Sequence, residues 1–328
     1  MRALQFFTVI IAICFFSFQS CKKSDPAPDP APGPTIKPDT LSAGWSKLSI
    51  AGETSLSDIF FISATNGYAT SNSDLYRSAD GGINWVKLSL ATQNWVNCFV
   101  TADGKAFFGA FNSNNIFKTI NSGSSFVSST LDSNPFDIFF TDNNNGFCIA
   151  RFGLYSTVDA GVNWQKVTTT GLPASLNNYA SLSLINNSAG WIVTDNGIYR
   201  STGGSFSNWQ ASIINGGTSG SAFAAVYAVS VSTVFATNHY GEIFKSTDGG
   251  VNFSFIKKLE DGGFTDIHFL TDQIGYANAG RSIYKTTDGG INWAKVVSLG
   301  QGSITEIHFT DATHGWACGN GGVVLSFK

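Results

Sequence analysis

The chain has 328 residues, enough for one large domain or two ordinary ones, and its 19 basic and 22 acidic side chains leave a net charge of −3. That balance lacks the basic face a nucleic-acid binder needs, so no nucleic-acid partner is expected. Charged residues make up 12%, aromatics 14%, and there are 35 glycines; with no lasting 3.6-residue amphipathic period, this composition predicts an all-β protein of short strands and tight turns.

At the N-terminus, Arg2 precedes an apolar run from Leu4 to Phe18 that is too short to span a bilayer comfortably. A cationic start followed by such a run reads as a signal peptide over residues 1–20. Ser17, Phe18, Gln19 and Ser20 then lead to Cys21, a pattern that resembles the lipobox of bacterial lipoproteins, with Phe18 where Leu is usual. The resemblance implies cleavage before Cys21 and lipidation of its sulfur; the competing reading is an ordinary signal peptide with Cys21 as a bystander. Residues 21–43 follow as a tether, because six of the eight prolines (Pro26, Pro28, Pro30, Pro32, Pro34 and Pro38) lie there. Such a stretch is extended and semi-rigid and packs no core. The expected location is therefore outside the cytoplasm, lipid-anchored in the cell envelope at the outer membrane. Orientation, periplasmic or surface, stays open, since Lys22-Lys23-Ser24-Asp25 has no acidic run.

From residue 44 onward one segment recurs. Ser78, Thr119, Thr157, Ser201, Ser246 and Thr286 each open the same motif, at intervals of 38 to 45 residues. A period near 40 in β-type sequence is that of propeller blades. Upstream, Asp58-Ile59-Phe60-Phe61 leads to Gly67-Tyr68-Ala69, and matching runs begin at Asp137, Asp266 and Glu306. Each repeat reads as four strands. The last copy, Val323 to Ser326, stops short of a fourth strand, and Trp45-Ser46-Lys47-Leu48 matches that missing piece. The prediction is one seven-bladed β-propeller of four-stranded blades over 44–328, closed by the N-terminal strand, which removes open sheet edges.

Ser78 to Trp85, Thr157 to Trp164 and Thr286 to Trp293 fit the pattern Ser/Thr-x-Asp-x-Gly-x-x-Trp, the Asp-box; Ser246 to Phe253 has Phe for Trp, Asn121 replaces one Asp and Gly203 another. Asp80, Asp159, Asp248 and Asp288 are expected to accept turn N–H groups, with Trp85, Trp164 and Trp293 packing between blades. The chain resembles the Asp-box, or BNR-repeat, propellers, and within them the photosystem II assembly-factor type, most clearly over Gly275 to Trp293. That resemblance implies a scaffold that binds proteins, although the arginine-rich surface of the family has no visible counterpart.

Asp-box sialidases share the expected fold but use three arginines, a Tyr nucleophile and an acid/base Asp. Only Arg77, Arg151, Arg200 and Arg281 follow the signal, and Arg77 and Arg200 fall in the column of Lys118, Lys245 and Lys285, which reads as strand surface. Asp-box endoglucanases need a cleft between two propellers. No catalytic residue, metal site or cofactor is assigned. Asp58, Asp137, Asp266 and Glu306 share one column on strands that should line the axis, and they read as structural or as a channel rim, with a cation or glycan site as the sharper alternative. His268 and His308 stand where Phe60 and Phe139 stand in other blades and read as packing residues. Cys98, Cys148 and Cys318 read as buried thiols, or as one disulfide and a leftover.

The reading that results is a non-enzymatic binding propeller with a protein partner in the envelope, the alternative being a glycan-binding or sialidase-related one. Its contact face is expected on one rim, where Ser89 to Trp95, Thr168 to Tyr179 and Ser212 to Phe223 are the longest irregular stretches. Trp95 and Tyr179 are candidate contacts.

Overall fold

A computed structural model describes residues 37–91, 93–176, 180–218 and 222–328; the expected signal peptide, Cys21, the tether up to residue 36 and Tyr179 lie outside them. Among the described residues every regular element is a strand. They form seven sheets, each built on four strands in meander order, so the seven-bladed architecture is observed. Blade I, for example, comprises Leu56–Phe61, Gly67–Ser71, Leu75–Ser78 and Val86–Lys87. The first strands of blades II to VII are Trp95–Val100, Pro135–Phe140, Ser181–Leu184, Phe223–Ala228, Phe264–Phe269 and Ser303–Asp311.

Second strands such as Gly67–Ser71 and Gly275–Ala279 are buried at every position. A blade has a neighbour on each face, so its central strands lose the in–out alternation of a half-exposed sheet. The recurring Gly-aromatic step has a steric cause. Phe61 pairs across the ladder with Gly67, and a Cβ there would stand 2.5 Å from the Phe61 ring; at Gly275 it would stand 2.6 Å from Phe269. Apolar side chains sort into seven clusters, each spanning one blade–blade interface. Phe61 of blade I, for instance, stacks on Trp316 of blade VII at 3.7 Å. The core is thus a ring of interfaces.

Ring closure follows the predicted pairing: Trp45–Leu48 runs antiparallel to Val323–Phe327, with Trp45 opposite Phe327 and Leu48 opposite Val324. A strand already lies before the expected boundary at 44. Thr40–Leu41 adds a fifth, outer strand to blade VI, and Asp39 accepts the Gly300 N–H at 2.8 Å. Edge pairing here needs only backbone, which leaves no side-chain pattern to read.

The Asp-box turns work as expected, with one partner unforeseen. In blade I the Ser78 hydroxyl donates to Asp80, and Asp80 accepts the Asn84 N–H at 2.9 Å and the Asn84 side-chain amide at 2.7 Å. Asn163, Asn252 and Asn292 repeat this in blades III, V and VI. These bonds, led by those from Asn163 and Asn252, hold Asp159 and Asp248 down at about 2. In blade IV a two-residue turn replaces the motif: Thr202 pairs with Ser205, and Gly203 and Gly204 both have positive φ, as tight hairpins prefer. Asp159→Ala is expected to cost about 1–2 kcal/mol, the scale of losing a capping carboxylate; urea unfolding measures it, and an unchanged midpoint would remove the carboxylate from the folding argument.

Trp85, Trp164 and Trp293 sit in interfaces VII/I, II/III and V/VI, as predicted. The turns are also gripped by the preceding blade. Trp316 Nε1 donates to the Gly81 carbonyl at 3.0 Å, Lys118 Nζ to Ala160 at 3.0 Å, Trp191 Nε1 to Gly249 at 3.1 Å and Lys245 Nζ to Gly289 at 3.1 Å. The Lys118 column is therefore not simply strand surface, because Lys118 itself is buried.

Candidate functional site

First strands line the axis, as expected, and they place the acidic column at its waist. Two cavities meet there, one of about 370 Å³ and one of about 210 Å³, and Asp58, Asp137, Asp266 and Glu306 border both. Three of the four carboxylates reach toward the next blade. The Cys98 N–H donates to Asp58 at 2.7 Å, the Leu182 N–H to Asp137 at 2.8 Å, and the Ile307 N–H to Asp266 at 3.1 Å. Asn97 takes the column position in blade II and donates its amide to Asp137 at 3.1 Å. In blade IV the bond to the next blade comes from two residues beyond the column position, where Ser183 accepts the Ala228 N–H at 2.9 Å. The column is a set of blade-to-blade latches, a role the sequence does not disclose because partners lie about one repeat apart.

Enclosure raises these acids. Burial pushes Asp58 and Asp137 up to about 7, against the pull of their backbone hydrogen bonds. Burial also raises Asp266 and lifts Glu306 well above the usual carboxylate range, with Asp266 beside it adding repulsion. Among the described residues no group of three or more His, Cys, Asp or Glu side chains has metal-binding geometry.

One step along the axis the same strands present a collar of rings. Phe60 lies 5.0 Å from Phe99, Phe99 5.4 Å from Phe139, Tyr227 4.8 Å from His268, His268 5.8 Å from His308, and His308 4.2 Å from Phe60. His268 and His308 do pack as rings. Burial holds them down at about 3 and about 4, so both are neutral at physiological pH. Cys98, Cys148 and Cys318 are buried free thiols raised by burial, which settles the pairing alternatives against a disulfide.

The two faces of the ring differ. One carries the Asp-box turns, tied to the first hairpin loops by bonds such as Gly81 N–H to the Thr65 carbonyl. The other gathers the connections between blades, including the described parts of all three long stretches. Two open depressions join there through Asn112: one is lined by Asn72, Gln93 and Asn94, the other by Phe111, Asn134, Phe136 and Arg151. The Arg151 guanidinium makes no ion pair or hydrogen bond among the described residues and lies 5.8 Å from the Phe152 ring. Phe152 and Tyr240 are half-exposed on this face. Trp95 is not a surface contact: it is 1% exposed, packed at 5.3 Å against Phe117 in the I/II interface. As the first residue of an inner strand it points into the blade stack.

A family model described as photosynthesis system II assembly factor YCF48 matches residues 118–258. Over those residues this Asp-box propeller is similar to that family. YCF48 from Cyanidioschyzon merolae superposes with a TM-score of 0.70 at 18% identity, over 87% of this chain and 98% of that one. YCF48 bound to D1 peptide gives 0.69 at 17%, over 88% and 97%. A catalytically inactive virginiamycin B lyase from Staphylococcus aureus with quinupristin gives 0.71 at 15%, over 86% and 98%. At these identities the likeness to solved structures is one of fold. Among curated protein sequences nothing matches the chain. The YCF48-like propeller thus shares its ring with both an assembly factor and an enzyme.

Proposed function

We propose that this YCF48-like propeller is a non-enzymatic docking protein that binds polypeptide partners on its inter-blade loop face, held outside the cytoplasm by lipid on Cys21. The observation that carries the reading is the amide-lined trough from Asn72 to Arg151, where side-chain amides flank the aromatic pair Phe111 and Phe136 beside an unpaired cation. Side-chain amides both donate and accept, which suits an extended peptide backbone, and aromatics with arginine are the residues that anchor protein interfaces. The family match over 118–258 and a structural relative holding a peptide support a protein partner. The latch role of the axial carboxylates supports a non-catalytic reading, since their oxygens already hold neighbouring blades together.

Site-specific photocrosslinking in the native envelope tests this. A crosslinker at position 112 on the loop face should yield one defined protein adduct, lost in Arg151→Glu, while one at position 158, where Val158 is 77% exposed on the Asp-box face, should yield none. Adducts at both positions alike, or carbohydrate alone, would remove the loop face from the reading. Cys21→Ala should move the protein from the membrane to the soluble fraction; unchanged fractionation would refute the lipid anchor.

A further inference from the structure

The outer strands of the seven blades protect their edges in different ways. In blade I the residue paired with Tyr76 is Lys87, and the equivalent residues are Lys166, Lys295 and Lys47 in blades III, VI and VII. These lysines form ion pairs: Lys87 with Asp74, Lys166 with Asp132, Lys295 with Asp261 and Lys47 with Asp39. A lysine on an edge strand discourages pairing with another chain, and so does an edge as short as Val86–Lys87 or Gln165–Lys166. Blades II, IV and V have Ser128, Ala211 and Phe255 at that position. Two of these three edges are covered by the chain itself. In blade V, Ile213–Asn215 runs parallel to Asn252, Phe253 and Ser254, and the Ile213 N–H donates to the Val251 carbonyl at 2.9 Å. In blade IV, Thr170 bridges Asn208 in parallel; its N–H donates to the Ser207 carbonyl at 2.8 Å, and its carbonyl accepts the Trp209 N–H at 2.9 Å. Both covers belong to the connection arriving from the preceding blade. Blade II has neither lysine nor cover. Val127–Thr130 is the last strand of its sheet, and among the described residues no strand, bridge or backbone hydrogen bond reaches its outer side. The connection from blade I turns inward instead: Leu88 is buried, and a Cβ on Gly123 would stand 2.6 Å from its side chain.

We propose that the outer edge of blade II takes up an extended, uncharged segment of a partner polypeptide as a parallel fifth strand. The unpaired backbone groups of Val127–Thr130 supply the ladder. The register is that of blades IV and V, whose covers begin opposite Asn208 and Asn252, the equivalents of Ser125. No charged side chain lies between Phe126 and Leu131, and Val127 is 62% exposed. An ionised side chain on the added strand would therefore meet no counter-charge, so the edge complements an uncharged strand. A second copy would pair with this edge across a twofold axis, in the antiparallel sense, unlike either cover. The edge leads through Leu131 to Asn134, which lines the loop-face trough, so one polypeptide can cross both. It lies outside that trough and stands as a site of its own.

Hydrogen exchange of the full chain, read by mass spectrometry with and without a capped peptide of residues 210–217, tests the site. That peptide carries blade V's own covering strand and no charged side chain. At about 2 mM peptide, exchange over residues 125–131 should slow at least about threefold. The same peptide N-methylated at alternate residues should have no effect, because it cannot complete the ladder. Ser128→Lys, an exposed substitution that installs the lysine of blades I and III, should remove most of the slowing. Arg151→Glu, in the loop-face trough, should leave it intact, which separates this edge from the trough. No slowing at about 10 mM peptide, or equal slowing by the N-methylated peptide or in Ser128→Lys, would overturn the proposal. So would slowing that appears without peptide as the protein is concentrated, together with a doubled mass in light scattering, since the edge would then belong to a second copy. The comparison of the two peptides on the unmodified protein keeps the test valid if Ser128→Lys fails to fold.

Discussion

Trp45→Ala is expected to lower the free energy of unfolding by about 3–5 kcal/mol, the range for deleting a large buried aromatic. The side chain is 6% exposed and touches three rings, with Tyr276 at 6.5 Å, Phe309 at 6.1 Å and Phe327 at 5.4 Å. It belongs to the strand that closes the ring, so its loss weakens the joint between the two ends of the chain. Removing residues 37–48 should do more. Val323–Phe327 would become an edge strand with an unpaired ladder and a bare apolar face, a template for aggregation. Urea unfolding measures the first effect and light scattering the second. A Trp45→Ala midpoint within about 0.5 kcal/mol of the unmodified protein would mean that closure is not what holds the ring.

Stability should peak near about pH 4 and fall toward about pH 8, the reverse of the usual gain for salt-bridged carboxylates. In the unfolded chain Asp58 and Asp137 release their protons near 4. In the folded protein burial keeps them protonated to about 7. Between those values the native state binds more protons than the unfolded state, so each step up in pH favours unfolding. The stabilisation is complete below the unfolded value and is lost as pH rises through the folded one. Three pH units set a ceiling of about 4 kcal/mol per carboxyl, and solvent in the channel brings the expected figure to about 2 kcal/mol each. On the acid side, Asp159 and Asp248, held at about 2, lose their stabilising charge as pH falls below about 4. Asp58→Asn keeps an acceptor for the Cys98 N–H and cannot ionise, so it should reduce the alkaline slope without abolishing it, since Asp137, Asp266 and Glu306 are raised as well. Thermal unfolding from about pH 4 to about pH 8 reads both effects; stability rising steadily over that range would refute the account of the waist.

These two predictions separate what each level of organisation contributes. The Trp45 prediction was legible in sequence, since Trp45-Ser46-Lys47-Leu48 repeats Trp85-Val86-Lys87-Leu88. The pH prediction was not. Asp58 and Asp137 appeared as a column of acids on the axis, and their enclosure and hydrogen-bond partners depend on the neighbouring blade. Trp95 shows the same limit: beside an irregular stretch it looked like a loop aromatic, whereas the strand begins with it and turns it into the I/II interface. Asn84 and its three counterparts lie inside the motif, four residues after each Asp, a spacing in the sequence at which a side-chain amide can reach the carboxylate.

The sequence by itself determined the all-β class, the repeat, the blade count and the closing strand. Each of these rests on short-range chemistry: a turn that needs glycine and a carboxylate, a Phe that needs a glycine opposite, and strands that pair with their nearest neighbours in the chain. Only the tertiary structure decided the seven interfacial cores, the blade-to-blade latches, the turn carbonyls gripped by Trp316 and Lys118, and the aromatic collar over an acidic waist. Those features join side chains about one repeat apart, or at opposite ends of the chain, and they exist only once the ring has closed and set how adjacent blades face each other.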